Sequence, residues 1–268
     1  MSFYQIVTPP MPTDPTGSHP TDAIRPESAD TAGKPSVIVD HLAIGATSLD
    51  VGVPWFEALT GVTLTQGGEH ARLSTHNRIA AFNPCCYLEL ISINPAAPAP
   101  ERPRWFGLDQ PAVKQRLQQG PQLLTWVIST SDIDATVAAA RYAGVDPGSP
   151  VPMSRGDLHW QVAFPADGSL PEAGTFPLII QWQDQQGAHP AASMQRLPLA
   201  FERLDIFHPE PAFLAQALDA IGASQLALLH LHEEPAPHAL QATLTRSDAG
   251  DSSDAHASLS DIDHTIRL

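Results

Sequence analysis

Short stretches in which apolar residues alternate with polar ones, or crowd with β-branched neighbours, recur along the chain. Residues 36–46 (SVIVDHLAIGA) carry such a pattern and predict a strand. Residues 48–60 follow with Leu49, Val53, Phe56 and Leu59 at helical spacing, and Gly61 suits the position just past a helix end. Pro54 places the start of the regular helix near itself, because an interior proline removes a helix hydrogen bond. Three strand-like pieces come next, near 62–66, 76–83 and 86–93, so the order is β-α-β-β-β. A proline-rich connection over 94–121 predicts a short helix at 111–119.

The order then repeats. A strand at 122–130 leads into a helix at 132–143, with Ser131 as cap and Gly144 at the exit. Strands at 151–153, 158–164 and 176–183 complete the second set. Sliding residues 40–50 forward by 84 positions lays them over 124–134, strand on strand and helix start on helix start. So long a period is foreign to solenoids and reads as duplication of one module. A third, shorter unit has a strand at 201–207, a helix at 210–221 ended by Gly222, and strands at 225–232 and 239–245. Residues 246–263 are rich in Ser and Asp and predict a loop. The expected organisation is a disordered leader over 1–35, a two-module domain over 36–190 and a C-terminal half-module over 197–268.

Charge narrows the partners. The 268 residues hold 14 Lys and Arg against 29 Asp and Glu, a net charge of −15. That argues against nucleic acid or an anionic membrane, both of which call for a basic surface. No run approaches the ~18 apolar residues of a membrane span. Proline-rich residues 1–36 lack the basic-then-apolar order of an export signal. The two cysteines, Cys85 and Cys86, are adjacent, a poor disulfide framework and a poor zinc motif. A cytoplasmic protein with inert thiols is the expectation. Nucleotide-binding glycine loops, a nucleophile elbow and the HExxH zinc motif are all missing from the sequence.

Seven segments in order carry a resemblance: DHLAIG at 40–45, GGEHARLSTHNR at 67–78, YLELI at 87–91, RPRWFGL at 102–108, LLTW at 123–126, PMSRGDLHW at 152–160 and PLIIQW at 177–182. On these the chain resembles the glyoxalase-like domain family of the vicinal-oxygen-chelate superfamily, which includes glyoxalases, bleomycin-resistance proteins and dioxygenases. The resemblance implies an α+β fold of paired β-α-β-β-β modules forming a cupped mixed sheet, followed here by the small C-terminal β-α-β-β unit. It also implies a divalent metal held by the first and last strands of each module, gripping two neighbouring oxygens of a small-molecule substrate.

His41 and Glu89 match those positions in module one. Thr125 and Gln181 take them in module two and break the pattern. His76 is then a candidate third ligand, so the metal set would be His41, His76 and Glu89, suited to Zn, Fe, Mn or Ni. A second reading needs no metal: His70, His76, Asn77, Arg155 and Glu89 form a polar floor, with Arg155 pairing to a substrate carboxylate. For Arg155 the plain alternative is a bridge to Asp157 or Glu89. Glu89 and His76 are the candidate catalytic residues. His70, Asn77, Trp105, Trp126, Arg155 and Trp182 are the candidate substrate-binding residues, with core packing the alternative for each tryptophan. His159 is a candidate acid or base, but at most one of His159 and Trp160 can face a cavity from one strand. His230 and His232 share a face that reads as solvated. The expected function is an enzyme of lyase, isomerase or oxygenase type acting on a small substrate with adjacent oxygens. The alternative is a binding or sequestration protein of the same fold. A homodimer built on an open C-terminal strand edge is a further option.

Overall fold

The computed structural model describes residues 35–183, 189–233, 239–246 and 265–268. The leader up to residue 34 and most of the Ser/Asp-rich stretch therefore lie outside the described residues. Module one is β1 (Val37–Gly45), α1 (Leu49–Thr60), β2 (Gln66–His70), β3 (Thr75–Asn83) and β4 (Cys86–Ile93). A connection holding α2 (Pro111–Leu117) leads to module two: β5 (Gln122–Thr130), α3 (Ile133–Tyr142), β6 (Ser149–Arg155), β7 (Leu158–Phe164) and β8 (Leu178–Gln183). The third unit is β9 (Leu199–His208), α4 (Pro211–Ala220), β10 (Leu229–Glu233), β11 (Ala239–Arg246) and β12 (Thr265–Arg267).

The two modules join through their first strands, which run antiparallel, into one eight-stranded sheet of order β2-β3-β4-β1-β5-β8-β7-β6. Within each module the first strand lies parallel to the last, β1 beside β4 and β5 beside β8. The sheet curls until its two end strands touch. Arg72 donates from Nη1 to the Pro152 carbonyl oxygen at 2.7 Å, and Arg155 lies across Gly68. A Cβ at Gly68 would stand 2.9 Å from Arg155 Cδ and Nη1, so the glycine admits the arginine.

Several local details depart from the sequence pattern for physical reasons. Helix α1 starts at Leu49, five residues before Pro54, because Ser48 caps it: its side chain accepts from the Val51 N–H and its carbonyl from the Gly52 N–H. Gly61 ends the helix in the left-handed region, at φ 70°. Helix α3 is capped by Asp132, which accepts from the Ala135 N–H, and not by Ser131. Ser131 instead gives its carbonyl to Gln181 Nε2. Strand β2 begins at Gln66, beyond the expected 62–66. Val62 and Leu64 are spent on the core, while the poor strand former QGGEH is held straight by pairing with β3.

Alternation along the strands separates two cores. Leu42, Ile44, Leu88, Leu90, Trp126 and Ile128 face the helices, against Phe56 of α1 and Val137 of α3. Ala43, Ile91, Val127, Leu178 and Ile180 face the hollow of the cup, with Trp105, Phe106 and Trp160. The third unit belongs to the helix-side core, contributing Leu204, Ile206, Leu214 and Leu244. It is wired differently from the modules. Its parallel pair is β9 with β10, the strand directly after the helix, so the sheet order is β10-β9-β11-β12.

Candidate functional site

The floor of the cup is set by β1 and β4. On β4, Tyr87, Glu89 and Ile91 alternate with Leu88 and Leu90, so the carboxylate turns into the hollow. On β1 the ladder to β5 slips between Val39 and His41, leaving Asp40 as the extra residue of a bulge. Both Asp40 and His41 are fully withdrawn from solvent and bond to each other, Nδ1 of the imidazole to Oδ1 at 2.6 Å. The other carboxylate oxygen of Asp40 accepts from Trp182 Nε1 and His189 Nε2, both at 2.8 Å. His189 Nδ1 in turn accepts the Ala191 N–H. His41 Nε2 faces Glu89 Oε2 at 3.5 Å, and Tyr87 stacks on the imidazole with ring centroids 4.5 Å apart. Glu89 Oε1 accepts from Asn77 Nδ2 at 2.7 Å, and Asn77 Oδ1 accepts from the Gly68 N–H. Arg155 Nη1 reaches the same Asn77 oxygen at 3.4 Å.

The electrostatics follow from this chain of charges. Burial alone would discharge His41, but the bonds to Asp40 and Glu89 outweigh it and raise its pKa from 6.5 to about 9. Burial pushes the carboxyls up, yet the hydrogen bonds and charge of the histidines hold Asp40 far below its ordinary value and Glu89 below its own. The floor is thus carboxylate–imidazolium–carboxylate at neutral pH. His70, at the end of β2, goes the other way. Desolvation lowers its pKa to about 4, so it is a neutral imidazole, bonded at Nδ1 to Thr75 Oγ1 and edge-on to Trp105.

These groups surround an inner cavity of about 30 Å³, with room for about two waters. Of the nine residues expected as metal ligands, as the catalytic pair Glu89 and His76 or as substrate-binding residues, His41, His70, Asn77, Glu89, Trp105, Arg155 and Trp182 line it. Two do not. His76 shares β3 with the inward Thr75 and Asn77 and so points to the opposite face. Trp126 lies in the helix-side core with its indole N–H on the Thr175 carbonyl, away from the cavity. Trp160 faces inward and His159 is exposed, as strand parity requires. Arg155 has no carboxylate within ion-pair distance among the described residues, so the bridge to Asp157 or Glu89 does not form. His232 is bonded to Asp205 at 2.7 Å while His230 is exposed, and Cys85 and Cys86 are free thiols. Sequence reasoning missed Asp40, Tyr87 and His189.

A chelated metal asks for three or four convergent donors. His76 is on the wrong face, and module two turns Val127 and Ile180 inward, with Gln181 outside holding the Ile133 N–H at the start of α3. Among the described residues no group of three His, Cys, Asp or Glu side chains is placed to hold an ion. His41 has one ring nitrogen on Asp40 and the other on Glu89. The donor set does not fit a chelated metal. No helix among the described residues is long and apolar enough to cross a membrane.

Comparison with known proteins bears on the fold. No curated protein matches the chain. A hypothetical protein from Staphylococcus aureus is similar at 17% identity, over 69% of this chain and 76% of that one, with a TM-score of 0.49. The methylmalonyl-CoA epimerase of Mycobacterium tuberculosis is similar at 18% identity, over 54% of this chain and 85% of its own, with a TM-score of 0.35. A hypothetical protein from Bacillus halodurans C-125 is similar at 17% identity, over 57% and 98%, with a TM-score of 0.37. A family model described as a glyoxalase-like domain matches residues 39–222, both modules and the start of the third unit, and the chain belongs to that family.

Proposed function

We propose that the protein is an enzyme that moves a proton on a small carbonyl substrate, of isomerase or lyase type, through an ion-pair floor and without a chelated metal. The observation that carries this is the buried Asp40–His41–Glu89 chain at the bottom of a largely apolar cavity. Glu89 is held ionised chiefly by the bond and charge of His41 and is oriented by Asn77, and it is the carboxylate placed to take a proton from the carbon beside a carbonyl. The substrate then gains an enolate oxygen as Glu89 becomes neutral. His41, cationic and fixed by Asp40, faces the same point and offsets that new charge. Returning the proton to another position gives an isomerase; expelling a leaving group from the neighbouring carbon gives a lyase. Asp40 acts as a positioning residue. Oxygenase chemistry receives no support from the donor set described above.

The test is deuterium exchange followed by proton NMR, with a panel of aldehydes, ketones and 2-oxo acids in D2O. The expected result is exchange at the carbon beside the carbonyl, lost in Glu89→Gln and unchanged by EDTA. Exchange no faster than in buffer across the panel, or activity lost to EDTA and restored by a divalent ion, overturns the proposal. Binding without exchange would favour the sequestration reading, to which the narrowness of the inner cavity also speaks.

A further inference from the structure

We infer that the ligand is a monocarboxylate with an extended, uncharged aliphatic tail: its head enters the inner cavity, its carboxylate sits at Arg155, and its tail lies in a second cleft beneath residues 189–194. This rests on the reading of the cup as the ligand site. The inner cavity, about 30 Å³, is far below the 300–1,000 Å³ typical of small-molecule pockets. A neighbouring cleft of about 540 Å³ falls within that range. Ile79, Arg155 and Met194 line both spaces, so the two meet at these side chains.

The chemistry of each part follows. Arg155, half-buried at the junction, has only the long contact to Asn77 among the described residues. A guanidinium placed so, with no carboxylate within ion-pair distance among the described residues, favours an anionic group. Deeper in, Glu89 lines the cavity and would repel a carboxylate, so the charged end stops at the junction and a neutral oxygen goes in. There Trp105 offers an indole N–H that is buried without an acceptor. The outer cleft is different. Ile79, Leu158, Pro190, Ala192 and Met194 line it, and Arg155 is its one Lys, Arg, Asp or Glu among the described residues. Its polar side chains besides Arg155 are Thr65, Gln66, His189 and Ser193, and each already has a partner: Gln195 Oε1 accepts from the Thr65 hydroxyl at 2.7 Å, the Gln195 backbone N–H goes to Gln66 Oε1, His189 donates to Asp40 and the Ser193 hydroxyl donates to the Pro190 carbonyl. With those polar groups already paired, the apolar side formed by Ile79, Leu158, Pro190, Ala192 and Met194 is what a hydrocarbon tail would cover.

The experiment is isothermal titration of the full chain with straight-chain 2-oxo acids of four, six and eight carbons. Their neutral 2-oxo amides and the eight-carbon 2-oxo diacid complete the set. The expected result is a Kd that falls at least about tenfold from four to eight carbons, is at least about tenfold weaker for each amide, and is weaker again for the diacid. Arg155→Gln brings acid and amide within about twofold of each other. Ala192→Trp, at an exposed position, abolishes the dependence on length and keeps the preference for the acid. Circular dichroism confirms that both variants fold. Affinity independent of length, equal binding of acid and amide, an acid preference that survives Arg155→Gln, or no binding at all overturns the inference. Exchange on short substrates without length dependence would sink this inference alone. Length-dependent binding without exchange would sink the proton-transfer proposal alone.

Discussion

Asp40→Asn is the substitution on which the electrostatic account stands most exposed. The carboxylate is wholly buried and accepts from His41, Trp182 and His189 at 2.6–2.8 Å. Asparagine keeps the shape, removes the charge and turns an amide N–H₂ toward at least one of those donors. Breaking one side of a buried ion pair costs about 3–5 kcal/mol. That cost depends on pH. His41 has a pKa of about 9 in the native state against 6.5 in an unexceptional one, so between those values the folded protein holds a proton that the unfolded chain does not. Stability therefore declines as pH rises through this window, by about 3 kcal/mol in all at about 1.4 kcal/mol per pH unit. Without Asp40 the imidazole loses its strongest partner, its pKa drops, and the decline flattens. Urea unfolding of wild type and variant at pH 6, 7.5 and 9.5 reads both effects. The expected gap is about 3–5 kcal/mol at pH 6 and clearly smaller at pH 9.5. A gap under about 1 kcal/mol, or one that is the same at both ends, would refute the imidazolium floor.

Four further outcomes follow from the same structure. His70→Asn should remove part of the stability loss on acidification from pH 6.5 toward 4, because the unfolded chain takes up a proton there that the buried imidazole refuses; the slope of unfolding free energy against pH checks it. Gly68→Ala should leave the thermal midpoint nearly unchanged while displacing the flexible end of Arg155, and titration with a carboxylate ligand should show about a tenfold loss. Trp126→Phe should cost about 2–3 kcal/mol in denaturant unfolding, through the lost bond to Thr175 and an underfilled core, with ligand affinity intact. Gln181→Ala should cost about 1 kcal/mol by stripping the Ile133 N–H and the Ser131 carbonyl of their partner at the start of α3, again without effect on ligand.

The duplicated modules were legible because strands and helices recur in one order and because Gly61 and Gly144 punctuate them. Faces were legible where the strands are regular: on β4, period-two alternation is enough to aim Glu89 inward. It failed where register slips. Strict alternation from His41 sends Asp40 to the helix side, and only the ladder shift after Val39 lets its carboxylate meet His41, Trp182 and His189. The offset of 84 sets Thr125 in the place of His41, and the ladder agrees: His41 pairs with Val127 and Ala43 with Thr125, as two antiparallel copies related by that offset must, while Trp126 faces the helices. His76 adjoins Asn77 on one strand, so strand parity alone admits only one of the two to the cup. His189 had no signal to offer. It lies in an irregular segment, 149 positions from the carboxylate it bonds, and only folding makes them neighbours.

The bulge at Asp40 ties the site to the order in which the chain is made. Two of the three groups that bond this carboxylate, Trp182 and His189, leave the ribosome about 140 residues after it. A nascent chain that has completed only module one can offer Asp40 only His41, so closing the floor over it would bury a carboxylate oxygen without its Trp182 and His189 donors. The first module can thus form its sheet and helix early, but the cup takes its final shape only when the segment around residue 189 arrives. A ligand pocket assembled this late stays open to solvent through most of synthesis, and a chain truncated anywhere before that segment is a scaffold without a site.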